Sequence, residues 1–307
     1  MATVAVDPGI AAVIDMIPIG TITAESLQMY RSAPLGGPVE LSDKVTRTDH
    51  VVSQEPRIVV RVHRPVGVDG VLPCLYSIHG GGYVLGSYEM DDSTFDVWCA
   101  KFGIVGVSVE YRLSPETSYP GPLEDCYAGL RWTHAHAAEL GIDPDQIGIR
   151  GVSAGGGLCA GLALLARDRG EVPVAYQLLD CPMIDDRQVT SSSQLDDLLI
   201  WNKHSNTFGW QSYLGDLYGT DEIPGYAAAA RATDLSGLPP AYVCVGGADG
   251  FRDEDMTYAL RLSQAGVPTE VHVYPGAPHG VALFAHLDVA KRYTGDQTDW
   301  LRRQVTR

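Results

Sequence analysis

The chain has 307 residues, of which 45% are hydrophobic and 20% charged, proportions that exclude global disorder and a collagen-like fibre. Its 22 Lys and Arg stand against 38 Asp and Glu, a formal net charge of −16 that repels phosphate backbones and so removes the main term of nucleic-acid affinity. The acidity reads most simply as solubility, and at roughly 150 residues per domain the length allows about two domains, or one α/β fold.

Residues 1–40 read as helical segments that precede any sheet. Their first twenty residues lack a basic stretch and carry Asp7 and Asp15, which argues against a secretory signal. No run of about eighteen apolar residues marks a membrane span. Cys74, Cys99, Cys126, Cys159, Cys181 and Cys244 are widely spaced, with no C-x-x-C pair or zinc-type spacing. Cys74, Cys159, Cys181 and Cys244 lie in apolar runs, where cysteine acts as a small buried hydrophobe. These features predict a reduced, cytoplasmic, soluble protein.

From about residue 40, short apolar runs alternate with helix-like stretches. The run Arg57–Pro65 alternates with period two and predicts an edge or half-exposed strand. Apolar runs at 72–79, 103–111, 147–153, 175–182, 241–247 and 269–275 fit strands covered on both faces. Helical patterns fall at 94–102, 121–139, 154–169, 253–265 and 284–304. That order predicts a mostly parallel sheet between helices, joined by right-handed crossovers. Residues 186–226 interrupt it with Trp201, Trp210, Tyr213, Tyr218 and Tyr226. Together with residues 1–40 they form a candidate lid beside the strand ends.

Two motifs carry chemistry. Gly151-Val152-Ser153-Ala154-Gly155 falls between a predicted strand and a predicted helix. A serine on such a sharp turn needs small neighbours, and the helix start favours developing negative charge. The string His79-Gly80-Gly81-Gly82-Tyr83 directly follows another strand. Its glycines leave backbone N–H groups able to point into a cavity, as stabilisation of an oxyanion requires. A phosphate-binding loop is the rival, but neither a following Lys nor a G-x-G-x-x-G pattern completes it. His79 reads as a structural residue that fixes the loop.

With these two motifs stand Tyr111–Glu116 (YRLSPE), 238–254 (LPPAYVCVGGADGFRDE) and Pro278-His279-Gly280. On them the chain resembles the hormone-sensitive lipase-like carboxylesterases of the α/β-hydrolase superfamily over nearly its whole length. It departs from many members at Val152, often Asp there, and at Tyr83, more commonly Trp or Phe. The resemblance implies a mostly parallel sheet of about eight strands flanked by helices, with a helical cap. Residues 1–40 and 186–226 would supply the cap, and 41–185 and 227–307 the two parts of the catalytic domain.

In such folds the chain order is serine, acid, histidine. Ser153 is then the nucleophile, Asp249 the acid and His279 the base. Asp253 and Asp255 are alternative acids, expected inside the next helix and facing away from the sheet top. His286 and His272 are expected to be packing residues. N–H groups of Gly81, Gly82 and Ala154 would form the oxyanion hole, with Gly80 the lesser candidate. Tyr83, Trp201 and Trp210 are candidate pocket walls. Asp185, Asp186 and Arg187 suggest a structural ion-pair cluster.

These roles imply hydrolysis of short-to-medium acyl esters through an acyl-enzyme, with no metal or organic cofactor. Amide or lactone hydrolysis uses the same parts. A ligand-binding receptor on this fold, as in the plant gibberellin receptors, lacks the histidine present here. The expected partner is a small-molecule ester, and a homodimer through the last strand and helix is common among similar proteins.

Overall fold

A computed structural model describes residues 5–14, 20–32, 40–195 and 198–306. Asp15 and parts of both expected cap segments lie outside the described residues. The elements are α1 (Pro8–Ala11), α2 (Leu27–Ser32), β1 (Val45–Gln54), β2 (Arg57–Pro65), β3 (Leu72–Ile78), α3 (Asp92–Phe102), β4 (Val105–Glu110), α4 (Gly121–Ala135) and α5 (Ala137–Leu140). They continue with β5 (Ile142–Val152), α6 (Ala154–Arg169), β6 (Gln177–Asp180), α7 (Lys203–Leu214), β7 (Ala241–Gly246), α8 (Arg252–Gln264), β8 (Thr269–Tyr274) and α9 (Asp288–Val305).

The eight strands form one sheet in the order β1-β2-β4-β3-β5-β6-β7-β8. Pairs β1–β2 and β2–β4 are antiparallel, and every other pair is parallel. The strand β1 was not expected, because VTRTDHVVSQ is mostly polar and only partly buried. It takes the edge position, so β2 is an inner strand with most of its residues buried rather than an edge. Pairing on both sides explains why RIVVRVHRP keeps so many branched apolar residues.

Side chains leave β3 alternately, with Cys74, Tyr76 and Ile78 in one core and Leu75 in the other. The first core contains buried residues of α4, α6 and α8, the second those of α3 and α9. In α9 the buried residues Val289, Ala290, Tyr293, Gln297, Trp300 and Leu301 recur at helical spacing and form one stripe. The expected helix at 121–139 breaks at His136 into α4 and α5. The expected helix at 284–304 starts late, after a 3₁₀ turn at Val281–Phe284. His286 therefore lies in an exposed turn, which corrects its expected packing role.

Residues 20–32 meet the 186–226 segment directly. The Ile22 N–H donates to Ser205 Oγ at 2.9 Å, and Asn202 Nδ2 donates to Thr21 Oγ1 at 2.9 Å. Arg31 ties the same segment to the sheet end, donating to the carbonyls of Val84 (2.9 Å) and Ser114 (2.8 Å) and pairing with Glu116 at 2.7 Å. Residues 5–14 contact another loop, since Asp7 N–H donates to Gly276 O at 2.9 Å. Among the described residues, no helix is long and apolar enough to cross a membrane.

Candidate active site

Three loops converge beyond the carboxyl ends of β5, β7 and β8, where open α/β sheets generally bind ligands. Between β5 and α6 the chain turns at Ser153, with φ 56° and ψ −119°. A non-glycine residue at positive φ is strained and persists only where its surroundings enforce it. Here the enforcement is close packing: a Cβ on Gly151 would stand 2.0 Å from Gly155 O, and one on Gly155 2.1 Å from Ile78 O. Ser153 N–H is held by Asp180 O at 2.8 Å, and Ser153 O accepts from Met183 N–H at 2.9 Å. The Asp180 carboxylate is itself fixed by Gln297 Nε2 at 3.0 Å and by the Tyr293 hydroxyl. Helix α9 thus braces the elbow from below.

Ser153 Oγ lies 2.9 Å from His279 Nε2, and His279 Nδ1 lies 2.8 Å from Asp249 Oδ2. All three side chains are buried. The second oxygen, Asp249 Oδ1, accepts Phe251 N–H at 3.0 Å, which fixes the carboxylate. Phe251 packs edge-on against the His279 ring at 5.1 Å, and Trp201 lies 6.4 Å from it. The imidazole is thereby restrained on its faces as well as at both nitrogens.

The glycine string makes a tight turn at the end of β3. Val84 and Leu85 N–H both donate to Gly81 O, at 3.1 and 2.9 Å. Gly81 has φ 116°, and a Cβ there would stand 2.2 Å from Leu85 O, so only glycine fits. Among the described residues, none accepts a hydrogen bond from the N–H of Gly80, Gly81, Gly82 or Ala154. His79 stacks on Tyr111 at 4.3 Å, and its Nδ1 lies 2.8 Å from Gly80 O. Burial lowers its pKa to about 4, so at neutral pH it is an uncharged brace for the loop.

The expected pocket aromatics divide. Trp201 covers Gly82, where a Cβ would meet the indole at 2.0 Å, and donates from Nε1 to Asn206 Oδ1 at 3.1 Å. Tyr83 and Trp210 are fully buried. Tyr83 stacks on Tyr213 at 4.1 Å and donates to Met183 O at 2.9 Å, with Trp210 at 5.3 Å. Those two are corrected from pocket wall to core, because large aromatic faces gain most from complete enclosure.

The alternative acids also separate. Asp253 accepts from Ser192 N–H at 2.8 Å and from Arg252 Nε at 2.8 Å. Asp255 does not face away as expected: it is completely buried, and neither carboxylate oxygen has a partner among the described residues. Burial, then the nearby Glu254 and Asp249, pushes its pKa well above the usual carboxylate range. Glu254 is raised likewise, by burial and then by Asp185. The ion-pair cluster is split, with Asp185 on Arg187 at 2.7 Å and Asp186 on Arg231 at 2.6 Å. His272 lies against Tyr242 at 5.2 Å, away from the convergence.

One neighbour carried no site reading in the sequence. Cys181, the residue after β6, brings its thiol within 4.8 Å of ligand atoms of both Asp249 and His279. Only its place was legible: the end of the strand between the serine and acid strands.

Residues 75–283 match a family model described as alpha/beta hydrolase fold. The chain is 34% identical over 287 residues to Carboxylesterase NlhH of Mycobacterium tuberculosis, covering 91% of this chain and 90% of that one. Esterase LipI of the same organism is 32% identical over 286 residues, covering 92% and 89%. Among solved structures, a bacterial heroin esterase is 40% identical with a TM-score of 0.91, covering 98% of both chains. On sheet order, motif placement and these likenesses together, the chain belongs to the hormone-sensitive lipase-like carboxylesterases of the α/β-hydrolase superfamily.

Proposed function

We propose that this chain hydrolyses carboxylic esters of short-to-medium acyl length, with Ser153 as nucleophile, His279 as base and Asp249 as its partner. The observation that carries the reading is the unbroken line Ser153 Oγ, His279 Nε2, His279 Nδ1, Asp249 Oδ2, with separations of 2.9 and 2.8 Å. Both lie within hydrogen-bond reach, the first requirement for an activated serine.

His279 takes the Ser153 proton through Nε2 as Oγ attacks the ester carbonyl. Asp249 keeps Nδ1 protonated, which leaves Nε2 free to accept, and then stabilises the imidazolium. The developing oxyanion is met by the N–H groups of Gly81, Gly82 and Ala154, each such donor contributing about 3 kcal/mol in the transition state. His279 returns the proton to the leaving alcohol, giving an acyl-Ser153. Water activated by His279 then releases the acid and restores the serine. Residues 1–40 and 186–226 serve as the cap, a reading supported by the Ile22–Ser205 and Asn202–Thr21 bonds. The outer edge of β8, with Val271 and Val273 exposed, offers the face for a homodimer.

The test is turnover of chromogenic esters of graded acyl length by the wild type and Ser153→Ala. We expect turnover highest for short chains and reduced to near background in the variant. Absence of turnover across the series, or its persistence in Ser153→Ala, overturns the reading.

A further inference from the structure

The thiol beside the proposed triad belongs to no step of ester hydrolysis. Cys181 follows β6, which pairs with the strand of Ser153 on one side and that of Asp249 on the other. Its backbone sits at φ 40°, an uncommon conformation for a non-glycine residue, held by a 2.7 Å bond from its N–H to Cys244 O. The thiol is buried, and one ligand atom from each of Cys181, Asp249 and His279 lies within 4.8 Å of the others. Sulfur, imidazole nitrogen and carboxylate oxygen are the three donor types that zinc and cadmium accept together. Around a tetrahedral zinc these atoms stand about 3.3–3.6 Å apart, so side-chain adjustments of about 1 Å close the site.

The surroundings favour a cation. Asp180 directly precedes Cys181, and the buried Asp249 carboxylate stands within 4.8 Å of its sulfur. A divalent ion neutralises that concentration of negative charge and lets the thiolate form. The sites of Zn²⁺ catalysts have three protein ligands and an open fourth position, and this set has the same count.

The geometry points to a binding site for a thiophilic divalent cation, zinc or cadmium, at Cys181, Asp249 and His279 Nδ1, whose occupation switches off Ser153. Binding releases the Cys181 proton to solvent and moves the imidazole proton from Nδ1 to Nε2, because Nδ1 gives its lone pair to the metal. Nε2 then carries hydrogen and cannot accept the Ser153 proton. The ion is thus an inhibitor, and the inhibitory consequence rests on the proposed catalytic roles, whereas binding itself does not.

Cd²⁺ is the probe, because cadmium thiolates give a charge-transfer band in the ultraviolet that a difference spectrum reads. It is titrated into wild type, Cys181→Ser, Cys181→Ala and Ser153→Ala. We expect one equivalent to raise the thiolate band in wild type and in Ser153→Ala, and in neither Cys181 variant. Ester turnover of the wild type should fall as the band rises and recover with chelator. Half-inhibition of whichever Cys181 variant folds should need at least tenfold more Cd²⁺. A missing band, a band that survives loss of Cys181, or equal inhibition of wild type and variant overturns the site. A Cys181-dependent band in a protein without turnover overturns the proposed esterase reading and leaves the metal site standing.

Discussion

At Asp249 one carboxylate answers two donors, Phe251 N–H on Oδ1 and His279 Nδ1 on Oδ2. An amide in its place can accept from only one of them. Asp249→Asn would keep the Phe251 bond and turn its NH₂ toward Nδ1, so His279 would protonate at Nε2 and lose the capacity as base proposed for it. We expect kcat to fall on the order of 10⁴-fold, the scale of this substitution in a serine protease triad. Steady-state kinetics check this beside circular dichroism, which should be unchanged. The serine turn stood out in the sequence because sterics narrow the choice there, whereas Asp249 and His279 followed from chain order. Gly151 and Gly155 cannot carry a Cβ beside Ser153, so the elbow has a readable spelling. Cys181 and Asp255 had none. A cysteine in an apolar run and an acid in a helix look ordinary until the fold brings both close to Asp249.

Among the elements, β7 was legible because a strand buried on both faces is a continuous apolar run, whereas 269–275, expected to be covered on both faces, forms the half-exposed edge strand β8. By contrast, β1 was not, since an edge strand with one wet face can be mostly polar. The start of α9 was misplaced because a 3₁₀ turn continues the apolar pattern without continuing the helix. The N-terminal segment depends on side-chain bonds that no periodicity reveals, chiefly those of Arg31. Arg31→Ala removes donors to Val84 O and Ser114 O together with the Glu116 pair. The exposed Glu116 pair contributes little, so the carbonyl bonds dominate, at about 1–2 kcal/mol in total. We expect hydrogen exchange in residues 22–32 to quicken while amides of the inner strands keep their protection. Unchanged exchange at 22–32 would mean that packing alone holds the segment.

For the whole molecule, two buried acids make stability depend on pH. Glu254 and Asp255 have folded pKa values above the usual carboxylate range. The folded state therefore binds more protons than the unfolded one. That contribution is fully present below the ordinary carboxylate range and is lost as pH rises toward the elevated folded values. Asp255→Asn stays neutral at every pH. It should gain relative stability as pH rises from 4 to 8, by up to about 1.4 kcal/mol for each pH unit between the unfolded and folded pKa of Asp255, and little near pH 4. Urea unfolding at the two pH values measures the difference. Equal effects at both would show that Asp255 ionises freely in the folded protein.

The sequence by itself determined the α/β class and the two glycine turns, and with the fold's chain order it nominated Ser153, Asp249 and His279. Each is local, governed by alternation, the absence of a Cβ, or chain order. Tertiary structure alone decided which strand became the edge and which aromatics closed into core. It also decided that a thiol and an acid without a partner among the described residues would sit close to Asp249. Those outcomes depend on strand order and burial, which bring together residues tens of positions apart, and no local pattern encodes that distance.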